Sequence, residues 1–190
     1  MKLLVKIILL CIFFTPLVVA CEGDEDFDPV RQQNAFRDFL DKLEVEYDSI
    51  LPQYIYKLAL PETLYDLGIP VGEEVKSGDR ISIYYAGYLF NSGATTPETQ
   101  YGRGSMFTTN IESYSVAAGW DENPYTEPMD ITLGSSRLNG LNLGIPGYRV
   151  GEGFLLYLSA DHGYGSDEIG FVEPGSAIVY EIYIMGKVTD

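Results

Sequence analysis

The hydrophobic pattern of this chain changes period along its length. From Arg80 it has strand period: Ile81, Ile83 and Tyr85 fall on one face, Ser82, Tyr84 and Ala86 on the other. The same alternation recurs in Phe154, Leu156 and Leu158, and in Ile178, Tyr180, Ile182 and Ile184. Long Gly/Pro-rich connections separate these segments, which predicts an antiparallel sheet in an α+β fold rather than alternating βαβ units. Helical period appears earlier. Asp28-Pro29 suits an N-cap followed by a first helical proline, and Phe36, Phe39, Leu40 and Leu43 recur at i, i+3, i+4 and i+7. An N-terminal amphipathic helix from Pro29 to Tyr47 follows. Its apolar stripe must bury against the main domain or a second copy of the chain, so dimerisation through this helix stays open. Tyr54 to Leu60 reads as a first strand. Ser135 to Leu141 reads as one short helix, started by a serine N-cap and closed by Gly140 or Gly144.

The first twenty residues read as an address. Lys2 and Lys6 flank the start of an apolar run, Leu3 to Ala20, that ends in Val18-Val19-Ala20-Cys21. A transmembrane anchor is the plain alternative. However, the run is short for a span of ~20 residues, and acidic residues follow it rather than a basic stop-transfer cluster. The pattern resembles a secretory signal with a lipobox. That resemblance implies cleavage before Cys21, acylation of its thiol and amine, and a place in the cell envelope, lipid-anchored to the outer membrane on its periplasmic or surface face. Glu22 to Asp28, EGDEDFD, is too acidic to pack and reads as a solvated tether, either a spacer or a surface-export signal. The organisation expected is a signal at 1–20, a lipidated tether at 21–28, a helical extension with the first strand at 29–74, and the main domain at 75–190.

Composition narrows the chemistry. Twelve Lys and Arg stand against 28 Asp and Glu in 190 residues, a net charge of −16, so nucleic acid would meet a repulsive field. There is one histidine, His162, and the two cysteines fall at positions 11 and 21. The ligand clusters that zinc, haem or iron–sulfur chemistry requires are lacking, so no metal and no cofactor are expected. His162 beside Asp161 has the look of an acid–base pair, but in a turn such a pair reads as a local hydrogen bond.

Against this background, several segments occur in an order that resembles the FKBP-type peptidyl-prolyl cis-trans isomerases. GDRISIYYAGYLF, ending at Phe90, is similar to the strand carrying that family's Tyr-x-Gly, and Met106-Phe107-Thr108 is similar to its Phe-Asp step. PMDITLG, from Pro128, resembles the Pro-Phe-x-Phe-x-Leu-Gly segment. NGLNLGIPGYRVGE, from Asn139, resembles the stretch around the pocket-floor helix. SADHGYGSDEIGFVEPGSAIVYEIYI, from Ser159, resembles the Tyr-Gly flap and closing strand. The set spans residues 75 to 187 and implies an antiparallel sheet wrapped around a short helix.

Carried over by position, the resemblance implies catalytic roles for Tyr85, Phe107, Leu138, Tyr164 and Tyr180. It implies substrate-binding roles for Thr108, Met129, Ile131, Leu141, Phe171 and Val172. For most of these the plain alternative is core, since aromatic and branched residues at strand period pack inward. Tyr164, in Gly163-Tyr164-Gly165, is the exception, because its loop neighbours offer little to pack against. The implied activity is isomerisation of X-Pro bonds in exported polypeptides, with substrate carbonyls bonded by the Leu138 N–H and the Tyr164 hydroxyl. Three positions depart from the family: Leu141 stands for its tryptophan, Thr108 for its aspartate and Met129 for a phenylalanine. The intervals from Asn91 to Met106 and from Asn110 to Glu127 are longer than its minimum, and the second holds Trp120. These departures keep open a non-catalytic chaperone or a surface interaction lipoprotein.

Overall fold

The structure, a computed structural model, describes residues 28–189 apart from 51–54, 61–67, 103, 121–122, 124 and 137. The expected signal segment, Cys21 and the tether up to residue 27 lie outside the described residues, as does Tyr54 at the start of the expected first strand. Chain order is helix α1 (Pro29–Lys42), strands β1 (Asp48–Ile50), β2 (Ile55–Ala59) and β3 (Arg80–Leu89), helix α2 (Pro97–Gln100), strand β4 (Met106–Thr109) and helix α3 (Glu112–Ala118). Then come strand β5 (Met129–Thr132), helix α4 (Asn139–Gly144) and strands β6 (Gly153–Leu158) and β7 (Ile178–Lys187).

The fold is α+β, built on one 7-stranded sheet ordered β1-β2-β6-β7-β3-β4, with β5 also pairing β3. Every pairing is antiparallel. β4 and β5 share one edge of β3: β5 takes Arg80 to Ile83 and β4 takes Ala86 to Tyr88.

The sheet has two covered faces. On the front, Ile81, Ile83, Phe154, Leu156, Leu158, Ile178, Tyr180, Ile182 and Ile184 join Leu138, Leu141 and Ile145 in one buried core. On the back, Tyr56, Leu155, Tyr157 and Val179 bury against Phe36, Phe39 and Leu40 of α1. Covering both sides explains why every residue of β6 is buried and why its sequence is continuously apolar, where alternation through Phe154, Leu156 and Leu158 was expected. Burial of three large side chains from α1, at roughly 1.5–3 kcal/mol each, ties the helix to the sheet. The stripe is therefore met within the chain, and the dimer expectation loses the exposed face that motivated it.

Two helix boundaries differ from expectation. α1 starts as expected, with the Asp28 side chain accepting from the Val30 N–H at 2.9 Å, but it ends at Lys42 rather than Tyr47. Tyr47 instead donates its hydroxyl to Asp41 at 2.8 Å, folding the chain back after the helix. The short helix runs from Asn139 to Gly144 rather than from Ser135 to Leu141, with Leu138 as N-cap. Gly140 lies inside it; Gly144 is its last residue, but the C-cap is Ile145 in a right-handed conformation rather than a left-handed glycine. A Cβ on Gly140 would lie 2.4 Å from Leu158 Cδ2, and one on Gly144 would lie 2.8 Å from Leu156 Cδ1. These glycines, one turn apart, form the notch through which α4 seats on β6.

Candidate functional site

The front face gathers aromatic residues from distant parts of the chain. Tyr180, on central β7, is flanked by Gly87 and Leu156 on the neighbouring strands. Its ring centroid lies 6.0 Å from that of Tyr85 and 6.0 Å from that of Phe107, while Phe107 and Tyr164 meet edge to face at 6.1 Å. The Tyr164 and Tyr180 hydroxyls are 2.7 Å apart. Leu138, Leu141 and Val172 are buried in the same cluster, and Ile131 packs against it.

The arrangement depends on Gly87. A Cβ there would stand 2.7 Å from Phe107 Cζ and 2.8 Å from Thr108 Cγ2, so both side chains occupy space that any other residue would take. A bulge between Gly87 and Tyr88 puts Phe107 and Thr108 together over this glycine.

Not every expected residue joins the cluster. Met129 is 38% exposed on edge strand β5, and Phe171 is 57% exposed. Phe171 sits in the turn closed by Ile169 and Val172, where Val172 takes the inward position. His162 Nε2 stands 3.6 Å from Asp161 Oδ2, and the Ser159 hydroxyl donates to the other oxygen of that carboxylate. His162 lies outside the aromatic cluster.

Polar groups around the site are few and fixed. Burial pushes the Tyr164 phenol above its usual range and holds that of Tyr180 well above it, so both stay protonated near neutrality. Leu138 N–H finds no acceptor among the described residues. Tyr164 rides a loop whose turns are pinned by Gly165 N–H to Ala160 C=O at 2.8 Å and Gly175 N–H to Gly165 C=O at 2.7 Å. Gly165 has φ +61°, a conformation in which a side chain would be strained.

Two residues that the sequence reading passed over hold this frame. Asn110 accepts from the Tyr85 N–H at 2.7 Å and donates to the Ile83 and Glu127 carbonyls at 3.0 Å each, so one buried amide fixes the backbone that bears Tyr85. Nothing in the local pattern marks it. Gln32 donates to the Gly175 carbonyl at 2.7 Å and accepts from the Ala160 N–H at 2.8 Å, clasping both ends of the Tyr164 loop from α1. Gln32 did leave a signal: with Phe36 and Leu40 it falls at i, i+4 and i+8, a polar residue on a stripe that must be buried.

The sequence profile of the FKBP-type peptidyl-prolyl cis-trans isomerases matches residues 122–185. That stretch contains Leu138, Tyr164 and Tyr180, whereas Tyr85, Phe107 and Thr108 lie before it. FK506-binding protein 1 of Yarrowia lipolytica is 29% identical over 112 residues, covering 58% of this chain and 82% of the relative. FK506-binding protein 2 of Aspergillus oryzae is 26% identical over 144 residues, covering 73% and 91%. In fold, a peptidyl-prolyl cis-trans isomerase from Pseudomonas syringae superposes with a TM-score of 0.52 at 17% identity, over 85% of this chain and 97% of that one. The chain carries an FKBP-type peptidyl-prolyl cis-trans isomerase domain, matched over residues 122–185 and similar to FK506-binding proteins over a longer stretch.

Proposed function

We propose that this isomerase acts through the front-face aromatic cluster and works on prolyl bonds of exported polypeptides. The barrier to rotation about a peptide bond, ~18–20 kcal/mol, comes from amide resonance. Neither a nucleophile nor a proton transfer is needed to lower it. A twisted amide has lost that resonance and is less polar, so a water-poor aromatic pocket favours it over the planar ground state. Tyr85, Phe107 and Tyr180 would hold the prolyl ring, with Leu141, Val172 and Ile131 as apolar floor and wall, and Thr108 over Gly87. A thousandfold acceleration requires about 4 kcal/mol of such differential stabilisation.

The observation that carries this reading is the pairing of Tyr164 with Tyr180. In a hydroxyl pair one oxygen accepts, and its own proton stays available. With Tyr180 donating, the Tyr164 proton is free for a substrate carbonyl, and the Leu138 N–H offers a second donor. Isomerisation of a prolyl tetrapeptide followed by protease coupling tests this directly. Tyr164→Phe should lower kcat/KM about fivefold, the loss of one hydrogen bond of ~1 kcal/mol. Activity equal to wild type would remove Tyr164 from the reaction.

The export reading rests on Cys21 after its apolar run. Acylation there would put the domain on a membrane surface in the cell envelope, where proline-containing clients emerge unfolded. Cys21→Ser should move the protein from the detergent-partitioning fraction to the aqueous one; unchanged partitioning would contradict the anchor.

A further inference from the structure

The back face carries a cavity, walled in part by the two intervals that exceed the family's minimum length. It has a volume of about 310 Å³ and is lined by Tyr88, Tyr101, Met106, Tyr114, Ala117, Ala118 and Glu181. Its walls come mainly from the two lengthened intervals: Tyr101 follows α2, while Tyr114, Ala117 and Ala118 belong to α3, and Trp120 packs in the same apolar cluster. Glu181 is only 9% exposed. It accepts from the Tyr88 hydroxyl at 3.0 Å and the Tyr114 hydroxyl at 2.7 Å, and from the hydroxyl of Tyr183.

Three neutral donors satisfy the lone pairs of this carboxylate but leave its charge uncompensated. Among the described residues no Lys, Arg or His forms an ion pair with it. An unpaired buried carboxylate is costly, and a fold keeps one where a ligand supplies the opposite charge. The tyrosines cannot lend a second negative charge. Burial and the neighbouring carboxylate raise all three phenols, that of Tyr114 to about 12, so they remain donors at neutral pH. Tyr101 turns its hydroxyl away to Tyr157 and presents its ring, which meets that of Tyr88 at 5.5 Å and 67°. An anion would be repelled, and a single carboxylate offers too few oxygens to hold a bare divalent cation. Aromatic walls over a carboxylate floor suit an organic cation, which gains an ion pair and cation–π contact while its alkyl stem fills the apolar mouth.

We infer that this cavity binds an ammonium or guanidinium group on an alkyl stem, either a lysine or arginine side chain of a polypeptide or a free amine. It is a site separate from the aromatic cluster, on the opposite face of β7.

Trp120, the only tryptophan of the chain, is the natural reporter. The full-length protein is titrated with n-butylammonium, n-butylguanidinium, the blocked peptides acetyl-Gly-Lys-Gly-amide and acetyl-Gly-Arg-Gly-amide, and the neutral isostere n-pentanol, following its fluorescence. The expected result is saturable binding of the cations at least tenfold tighter than of pentanol, weakened tenfold or more by Glu181→Gln. Peptides binding at least as well as the free cations would assign the site to polypeptide side chains, and binding of the free cations alone would assign it to small amines. Should Glu181→Gln fail to fold, Ala117→Phe at the exposed mouth blocks the cavity without touching the carboxylate and should abolish the response. Equal binding of pentanol, or cation binding that survives these variants, would overturn the proposal.

Discussion

Tyr180 and Glu181 are neighbours on β7, yet they belong to different regions of the molecule. Tyr180 faces forward, between Gly87 and Leu156, into a group of rings drawn from four separate segments. Glu181 faces backward into a cavity walled by inserted segments. The forward face carries the ring residues to which the family resemblance assigns catalytic roles. The backward face is covered by α1 and by the two lengthened intervals, which pack well without following a family pattern. One strand can thus keep an inherited site on one side while the other side is free to acquire new cover, because alternation along β7 separates the two sets of side chains completely.

That separation can be broken or sharpened by substitutions that strike one face alone. The largest effect is expected at Phe36, fully buried on the back and in ring contact with Phe90, Tyr56 and Tyr157. Phe36→Ala should lower unfolding free energy by ~3–5 kcal/mol, measured by urea denaturation, while the remaining folded protein keeps kcat/KM within about twofold. A large loss of specific activity in the folded fraction would tie the faces together.

The reverse pattern is expected at Gly87. A Cβ there collides with the Phe107 ring, so Gly87→Ala should cost ~1–3 kcal/mol of overpacking, relieved by displacing Phe107, and kcat/KM should fall more than fivefold. Unaltered kcat/KM would mean that the Phe107 position is irrelevant to catalysis.

Gln32 is where the two faces communicate, since a back-face helix clasps the front-face loop. Gln32→Ala should lower kcat/KM roughly threefold, under 1 kcal/mol, chiefly through KM as the loop loosens. A change confined to stability would make the clasp purely structural.

The smallest effect near neutrality is that of pH. With Tyr164 and Tyr180 held protonated beyond the ordinary phenol range, kcat/KM should be flat between about pH 6 and 9. Stability follows the same groups with a definite sign. Burial raises the phenols of Tyr88, Tyr101, Tyr157, Tyr180 and Tyr183 in the folded chain above the ordinary phenol value of 10.0. Their contribution is fully present below pH 10 and is lost as pH rises past it, because the unfolded chain ionises first. Denaturation midpoints that stay constant up to about pH 9 and fall above 10 would agree with this; a plateau continuing to pH 11 would not.

Much of the front face was legible because each residue sits at a landmark: Tyr85 two before Gly87, Phe107 between Met106 and Thr108, Tyr164 between two glycines. The sequence also marked α1, through Phe36, Phe39 and Leu40, but could not say what the stripe would meet; the apolar odd positions of β6, Leu155 and Tyr157, turned out to be the partner. Gly140 and Gly144 read as helix stops because glycine ends helices more often than it seats them, and only the proximity of Leu156 and Leu158 reveals the packing role. Met129 and Phe171 looked equivalent to their neighbours Ile131 and Val172, but an edge strand and a tight turn leave them outward. Glu181 was invisible, since a lone acid within VYEIYI gives no hint that Tyr88 and Tyr114, from distant segments, converge on it beside its strand neighbour Tyr183.

The central claim, that isomerisation belongs to the front-face rings, is tested most directly by protease-coupled kinetics of full-length Phe107→Ala beside wild type. Phe107 touches the rings of Tyr164 and Tyr180 and is only partly buried, so its removal should leave the fold intact. The account predicts a measurable wild-type rate and a fall in kcat/KM of tenfold or more, at least ~1.4 kcal/mol of transition-state stabilisation. A folded Phe107→Ala protein that isomerises the peptide as fast as wild type would contradict it.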